Sequence, residues 1–153
     1  GFGFSILSGG LTLALMILPL FLTGCIESLK DVDDRLRYSA SALGISKLSS
    51  IKKIIIPVAS KGVFLTLMLS ICRALSETAA LLYTAGYVTR TPESLMDSGR
   101  SISVHIFDLS MNVSGADHNV YASAIVLIAM VITFNLFIYA LHRLYIKMEG
   151  LML

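Results

Sequence analysis

Two stretches of the chain carry no charged residue: residues 2–26 and residues 120–141. Each exceeds the roughly 20 residues that an α-helix needs to cross the hydrocarbon core of a bilayer. A third apolar stretch, residues 54–89, is interrupted by Pro57, Lys61, Arg73 and Glu77. Its middle, residues 62–87, reads as a third span. Pro57 is then expected at the membrane boundary, near a helix start that tolerates its missing N–H. The pattern predicts an all-α membrane protein with three transmembrane helices. Composition agrees: 56% of residues are hydrophobic and 14% charged, with a mean hydropathy of +0.81. Soluble domains hold about 45–50% apolar and about 25% charged residues. A disordered chain, a nucleic-acid binder built on a basic face and a disulfide scaffold are excluded. A net charge of +2 does not by itself imply an anionic partner. Cys25 and Cys72 lie inside apolar runs and read as small buried hydrophobes.

Lysine and arginine counts orient the spans. Residues 27–53 hold Lys30, Arg35, Arg37, Lys47, Lys52 and Lys53, whereas residues 90–119 hold only Arg90 and Arg100 beside four acids. The positive-inside rule puts 27–53 in the cytoplasm together with the tail, residues 143–153, which carries Arg143 and Lys147. Residues 90–119, between the spans at 54–89 and 120–142, are expected outside. The N-terminus of the first span, residues 1–26, then also lies outside. Residue 1 is Gly and the apolar run begins at once, without the basic leader of a signal peptide. The chain is therefore expected to begin within a longer protein. In the outer segment, Ile102, Val104, Ile106 and Leu109 suggest a short surface or re-entrant element.

The loop between the first two spans has its own punctuation. Asp33 or Asp34 can cap a helix carrying Leu36, Ala40 and Leu43 on one side, and Gly44 ends it. Ser46 can cap a second helix running through Leu48, Ile51 and Ile55 into the bilayer. By composition alone this is a basic, solvated loop that sets orientation. The order of residues resembles the EAA loop of ABC importer permeases. Tyr38-Ser39-Ala40 falls where Glu-Ala-Ala is expected, Ala42-Leu43-Gly44 matches the glycine block, and Ile54-Ile55-Ile56-Pro57 matches the exit. Tyr38 departs from the family's Glu. The resemblance implies a coupling helix that docks on an ATP-binding subunit through Arg35, Arg37, Tyr38, Ser39, Ala40, Leu43 and Gly44.

Arg73 and Glu77 stand among Leu and Ala in RALSETAALL. A charge at a span's centre costs about 2.5–3.5 kcal/mol on insertion scales, so such residues face a bundle interior and serve a purpose. At i, i+4 they share a helix face and can pair. At 100° per residue Thr66, Ser70, Arg73, Glu77 and Thr84 form one polar stripe. Ser5, Ser8, Gly9, Thr12, Pro19 and Thr23 make a comparable stripe on the first span. Two such faces can line a common path, or can serve only close packing and an internal ion pair.

Arg-Ala-x-x-Glu-Thr-Ala-x-Leu-Leu is similar to a segment of the permeases of the phosphate-specific ABC importer. SETAALLYTAGY is closer to the PstA-type subunit than to its PstC-type partner, and GFGFSILSGGLTLALMILPLFL resembles the span preceding it. The resemblance implies the C-terminal three of six spans of a type I (MetI-like) permease. It also implies a second permease subunit, an ATP-binding subunit and an extracytoplasmic phosphate-binding protein. A guanidinium offers an oxyanion bidentate donors. Phosphate near neutral pH keeps a proton that sulfate lacks, and a carboxylate can accept a hydrogen bond from it. Arg73 is thus expected to attract the anion and Glu77 to select it. A permease for another oxyanion, such as sulfate or molybdate, is the neighbouring reading; a polytopic membrane enzyme or signalling component is the distant one. No cofactor or metal is expected, because His105, His118 and His142 are scattered without ligand spacing. No Walker A pattern or catalytic nucleophile is visible, so ATP hydrolysis is expected in a separate subunit.

Overall fold

The structure, a computed structural model, describes residues 3–149, with side chains through residue 144. Gly1 and Phe2 of the expected first span lie outside the described residues, as do residues 150–153 and the Lys147 side chain of the expected tail. Three helices are long and apolar enough to cross a membrane: Ile6–Lys30, Lys47–Ser76 and Asp117–Leu144. In chain order the elements are α1 (Ile6–Lys30), α2 (Asp34–Ala42), α3 (Lys47–Ser50), a π-helical turn (Ile51–Ile55), α4 (Ile56–Ser76), α5 (Ala79–Thr84), α6 (Ile102–Asn112) and α7 (Asp117–Glu149).

The first turn of a helix leaves four N–H groups without an intrahelical partner. In α1 the Ser5 Oγ accepts from the Ser8 N–H at 3.1 Å. The Ser5, Ile6 and Leu7 N–H groups donate to the carbonyls of Thr84, Asp97 and Leu95 at 3.0, 2.9 and 3.0 Å. The start of α1 is thereby stapled to the end of α5 and the loop that follows.

Small residues let α1 lie close against α4 and α5, the usual device where lipid gives helices no hydrophobic reason to associate. A Cβ on Gly24 would come within 2.5 Å of the Thr66 hydroxyl, and one on Gly62 would collide with Ser28. Further along, a Cβ on Gly9 would stand 2.7 Å from the Ala85 Cβ. The three contacts define one antiparallel register. It sets Arg73 level with the middle of α1.

Pro57 lies near a helix start, as expected, at the beginning of α4, which continues a 30-residue helical run, Lys47–Ser76, without a gap. Its ring would press on the carbonyl four residues back, and it has no N–H to give. The π-helical turn just before it, where the Ile56 N–H bonds to the Ile51 carbonyl, widens the helix and accommodates the ring.

The expected single helix over 62–87 is divided instead. α4 stops at Ser76, Glu77 is extended with φ −72° and ψ 126°, and α5 resumes at Ala79. The outer segment does contain a helix, α6, whose Val104 is fully buried with Leu81 and Ala85. α7 returns antiparallel to α4. The Asn135 Nδ2 donates to the Cys72 Sγ at 3.0 Å, and the His142 ring lies 4.5 Å from that of Phe64.

Candidate functional site

The break between α4 and α5 is built from polar groups that replace lost helical bonds. The Glu77 carboxylate accepts from the Ala80 N–H at 3.4 Å, closing the start of α5. The Glu77 carbonyl accepts from the Ser103 Oγ of α6 at 2.6 Å. Ser103 in turn lies 2.9 Å from the hydroxyl of Ser101, the N-cap of α6.

Arg73 sits in the last turn of α4, where the helix dipole favours a cation. Its Nη2 is 4.0 Å from the Glu77 Oε2. The two side chains differ in access: Arg73 is 62% exposed and Glu77 15%. Glu77 is thus held inward by the break, while the guanidinium projects from the three-helix bundle. A charge at that depth cannot face acyl chains at low cost. The face bearing Arg73 therefore demands water or further protein against it.

The other members of the expected stripe lie elsewhere. Thr66 fills the notch left by Gly24, and its hydroxyl donates to the Gly62 carbonyl at 3.0 Å. Ser70 is buried and donates to the Thr66 carbonyl at 2.8 Å. Thr84 follows the break, which resets the helical phase that aligned it with Arg73; its hydroxyl donates to Ala80 at 2.7 Å. On α1, Ser5 and Gly9 are buried. Thr12 and Thr23 turn their hydroxyls back onto the Ser8 and Pro19 carbonyls.

Asn135 escaped the sequence reading as a site residue. It is the one amide side chain in the uncharged run 120–141, a visible signal, but its partner Cys72 is 63 residues away. Its Oδ1 is buried without a hydrogen-bond partner among the described residues.

At the other end of the bundle, α2 stands free as a short exposed helix. Asp33 caps it by accepting from the Arg35 N–H at 2.8 Å. After Ala42 the Ile45 N–H reaches the Ala40 carbonyl and the Gly44 N–H the Ser41 carbonyl, both at 3.0 Å. That reciprocal pair requires the left-handed conformation of Gly44, φ +73°. The seven expected coupling residues divide between two faces. Arg35, Tyr38, Ser39, Leu43 and Gly44 are exposed, Tyr38 and Leu43 by more than 70%. Ala40 is buried, and Arg37 donates to the Leu29 carbonyl at 2.8 Å, anchoring α2 to the end of α1. Val32, Ile55 and Ala59 form the apolar joint beneath.

The opposite end holds a cleft of about 750 Å³ between α1, α5 and α6, lined in part by Arg90, Arg100 and His105. Both arginines already face carboxylates. Arg100 lies 2.7 Å from Asp108, and Arg90 lies 3.8 Å from Asp97.

A multi-pass helical membrane subunit, with an exposed helix–glycine–helix loop and an ion pair at a mid-span break, is the class these features define. Over residues 1–147 the chain matches, and belongs to, the family of binding-protein-dependent transport system inner membrane components. It is 34% identical over 139 residues to a phosphate transport system permease protein PstA of Mycobacterium leprae, covering 90% of this chain and 46% of that one. A PstA homolog of Mycoplasma pneumoniae is 38% identical over 105 residues, 69% of this chain and 16% of its own. A probable ABC transporter permease protein, YqgI of Bacillus subtilis, is 26% identical over 151 residues, covering 89% and 51%. The chain thus spans about half the length, or less, of these curated relatives. No solved structure matches it. The family is one of inner-membrane transport subunits and not of enzymes.

Proposed function

We propose that this chain forms half of the permease of an ATP-driven importer that carries inorganic phosphate across the cytoplasmic membrane. The observation that carries the reading is the Arg73–Glu77 pair at a broken helix, midway along the register with α1, with Glu77 held inward and the Arg73 guanidinium projecting from the local bundle. Relatives named as phosphate transport permeases support the choice of anion. The guanidinium draws the anion to the break. The carboxylate, held by the Ala80 amide, accepts a hydrogen bond from the proton that phosphate retains and repels a fully deprotonated oxyanion. In this reading the basic loop 27–53 is cytoplasmic, and Tyr38 and Leu43 of α2 dock on a separate ATP-binding subunit that hydrolyses ATP. A second permease subunit covers the Arg73 face, and an extracytoplasmic binding protein delivers phosphate.

Reconstituted transporter tests this directly. Arg73→Ala is expected to lower phosphate uptake at least tenfold while subunit assembly and basal ATP hydrolysis persist. Glu77→Gln is expected to retain uptake and admit sulfate. Undiminished uptake in Arg73→Ala would remove the pair from the path.

A further inference from the structure

We propose that the groove between α4 and α7, at the end of the bundle bearing the basic loop, holds the headgroup of an anionic phospholipid. The groove measures about 350 Å³. Lys61 comes from α4, and His142 and Arg143 come from α7. Neither Lys61 nor Arg143 pairs with a carboxylate among the described residues, whereas Arg73, Arg90 and Arg100 each face one. His142 packs against Phe64, and its Nε2 is buried with no hydrogen-bond partner among the described residues. Two cations thus line one groove, beside a buried histidine nitrogen without a partner, and no carboxylate is among the described residues that line it.

The vertical order of side chains selects the ligand. α4 and α7 are antiparallel, so Lys61 and Arg143 form the rim. Leu65, Met68 and Ile138, one or two turns deeper, form an apolar floor. A phosphodiester above acyl chains has that same order. Free phosphate would gain nothing from the floor, and a lysine two turns beyond Lys53 reaches a headgroup by extending its stem along the helix. The site lies apart from Arg73 and does not depend on which solute the permease carries.

The test uses the assembled transporter in lipid nanodiscs. A photoactivatable phosphatidylglycerol and a phosphatidylcholine with the same chains are titrated in turn, and crosslinks are mapped to peptides. The expected result is labelling of residues 61–68 or 138–143 by the anionic lipid at roughly thirtyfold lower concentration, the factor two surface cations provide against an anionic headgroup. The exposed pair Lys61→Gln with Arg143→Gln is expected to abolish that preference. Equal labelling by both lipids in the wild type would overturn the proposal without any variant. Labelling unchanged in the double variant, or lipid displaced by millimolar inorganic phosphate, would overturn it as well; the last result would mark the groove as a free-anion site.

Discussion

The α2 loop and the α4–α5 break both interrupt the helical path of the chain, and they are held by different means. The caps that set the ends of the loop's helices are local. Asp33 accepts from an amide two residues on, Gly44 closes carbonyls within the preceding turn, and Ser46 accepts from the Ser49 N–H. The break has no Gly or Pro. Its carbonyl is held by Ser103, 26 residues away on another helix, while the Glu77 amide and carboxylate and the Thr78 hydroxyl bond locally. The loop's shape is therefore a property of its sequence, and the break's shape is a property of the assembled bundle. Under the proposed function, a locally shaped loop suits an element that presents the same face in every state of the transporter. A break defined by neighbouring helices ties the Arg73–Glu77 geometry to how those helices sit.

Perturbations from strong to weak test that contrast. Gly62→Leu is expected to act on the whole assembly, because even a Cβ there collides with Ser28. Overpacking of this kind costs about 1–3 kcal/mol or more, read as loss of a monodisperse complex on size exclusion. Ser103→Ala leaves the part-buried Glu77 carbonyl without its donor, at about 1 kcal/mol or more. Amide exchange in α5 should then rise about tenfold or more while α2 is unaffected. Unchanged exchange in α5 would make the break as local as the loop. Asp33→Ala should cost about 1 kcal/mol and raise exchange only in the first turn of α2. Gly44→Asn is the mildest, a few tenths of a kcal/mol, since Asn tolerates the left-handed region and nothing lies within 4 Å of a new Cβ. Gly44→Val, lacking that tolerance, should weaken association with the ATP-binding subunit.

The same contrast explains what was legible in the sequence. Two spans follow from charge-free runs, a third from a long apolar stretch, and the ends of α2 from the Asp33 cap and Gly44 that adjoin it. The number of spanning helices and these helix ends are thus legible in the residues themselves. RALSETAALL contains no helix breaker, and the 100° phase carried the stripe on to Thr84 through a helix that in fact stops at Ser76. The signal for the break lay in Ser103, in a segment read only as a short surface or re-entrant element. Pro57 falls in the first turn of α4 as its chemistry predicts, whereas the wide turn that joins α4 to α3 has no signal in the residues. In α1 the small residues divided. Ser5 and Gly9 pack inward, and Gly24, outside the predicted stripe, is one of the close approaches to α4, receiving Thr66. Helical periodicity locates a face, but which face meets a neighbour is decided by residues far along the chain.

The wide turn at Ile51–Ile55 has a further consequence for how this protein varies between descendants. It holds one residue more than regular helix would over the same path. Losing that residue would rotate all of α4 by about 100° relative to α2. Arg73 would leave its face, and Gly62 would swing away from Ser28. Substitution at the exposed Ile51, Lys52 and Lys53 leaves that phase intact, whereas Ile55 is tied to the apolar joint with Val32 and Ala59. The length of this turn therefore matters more to the Arg73 face than the identity of its exposed residues.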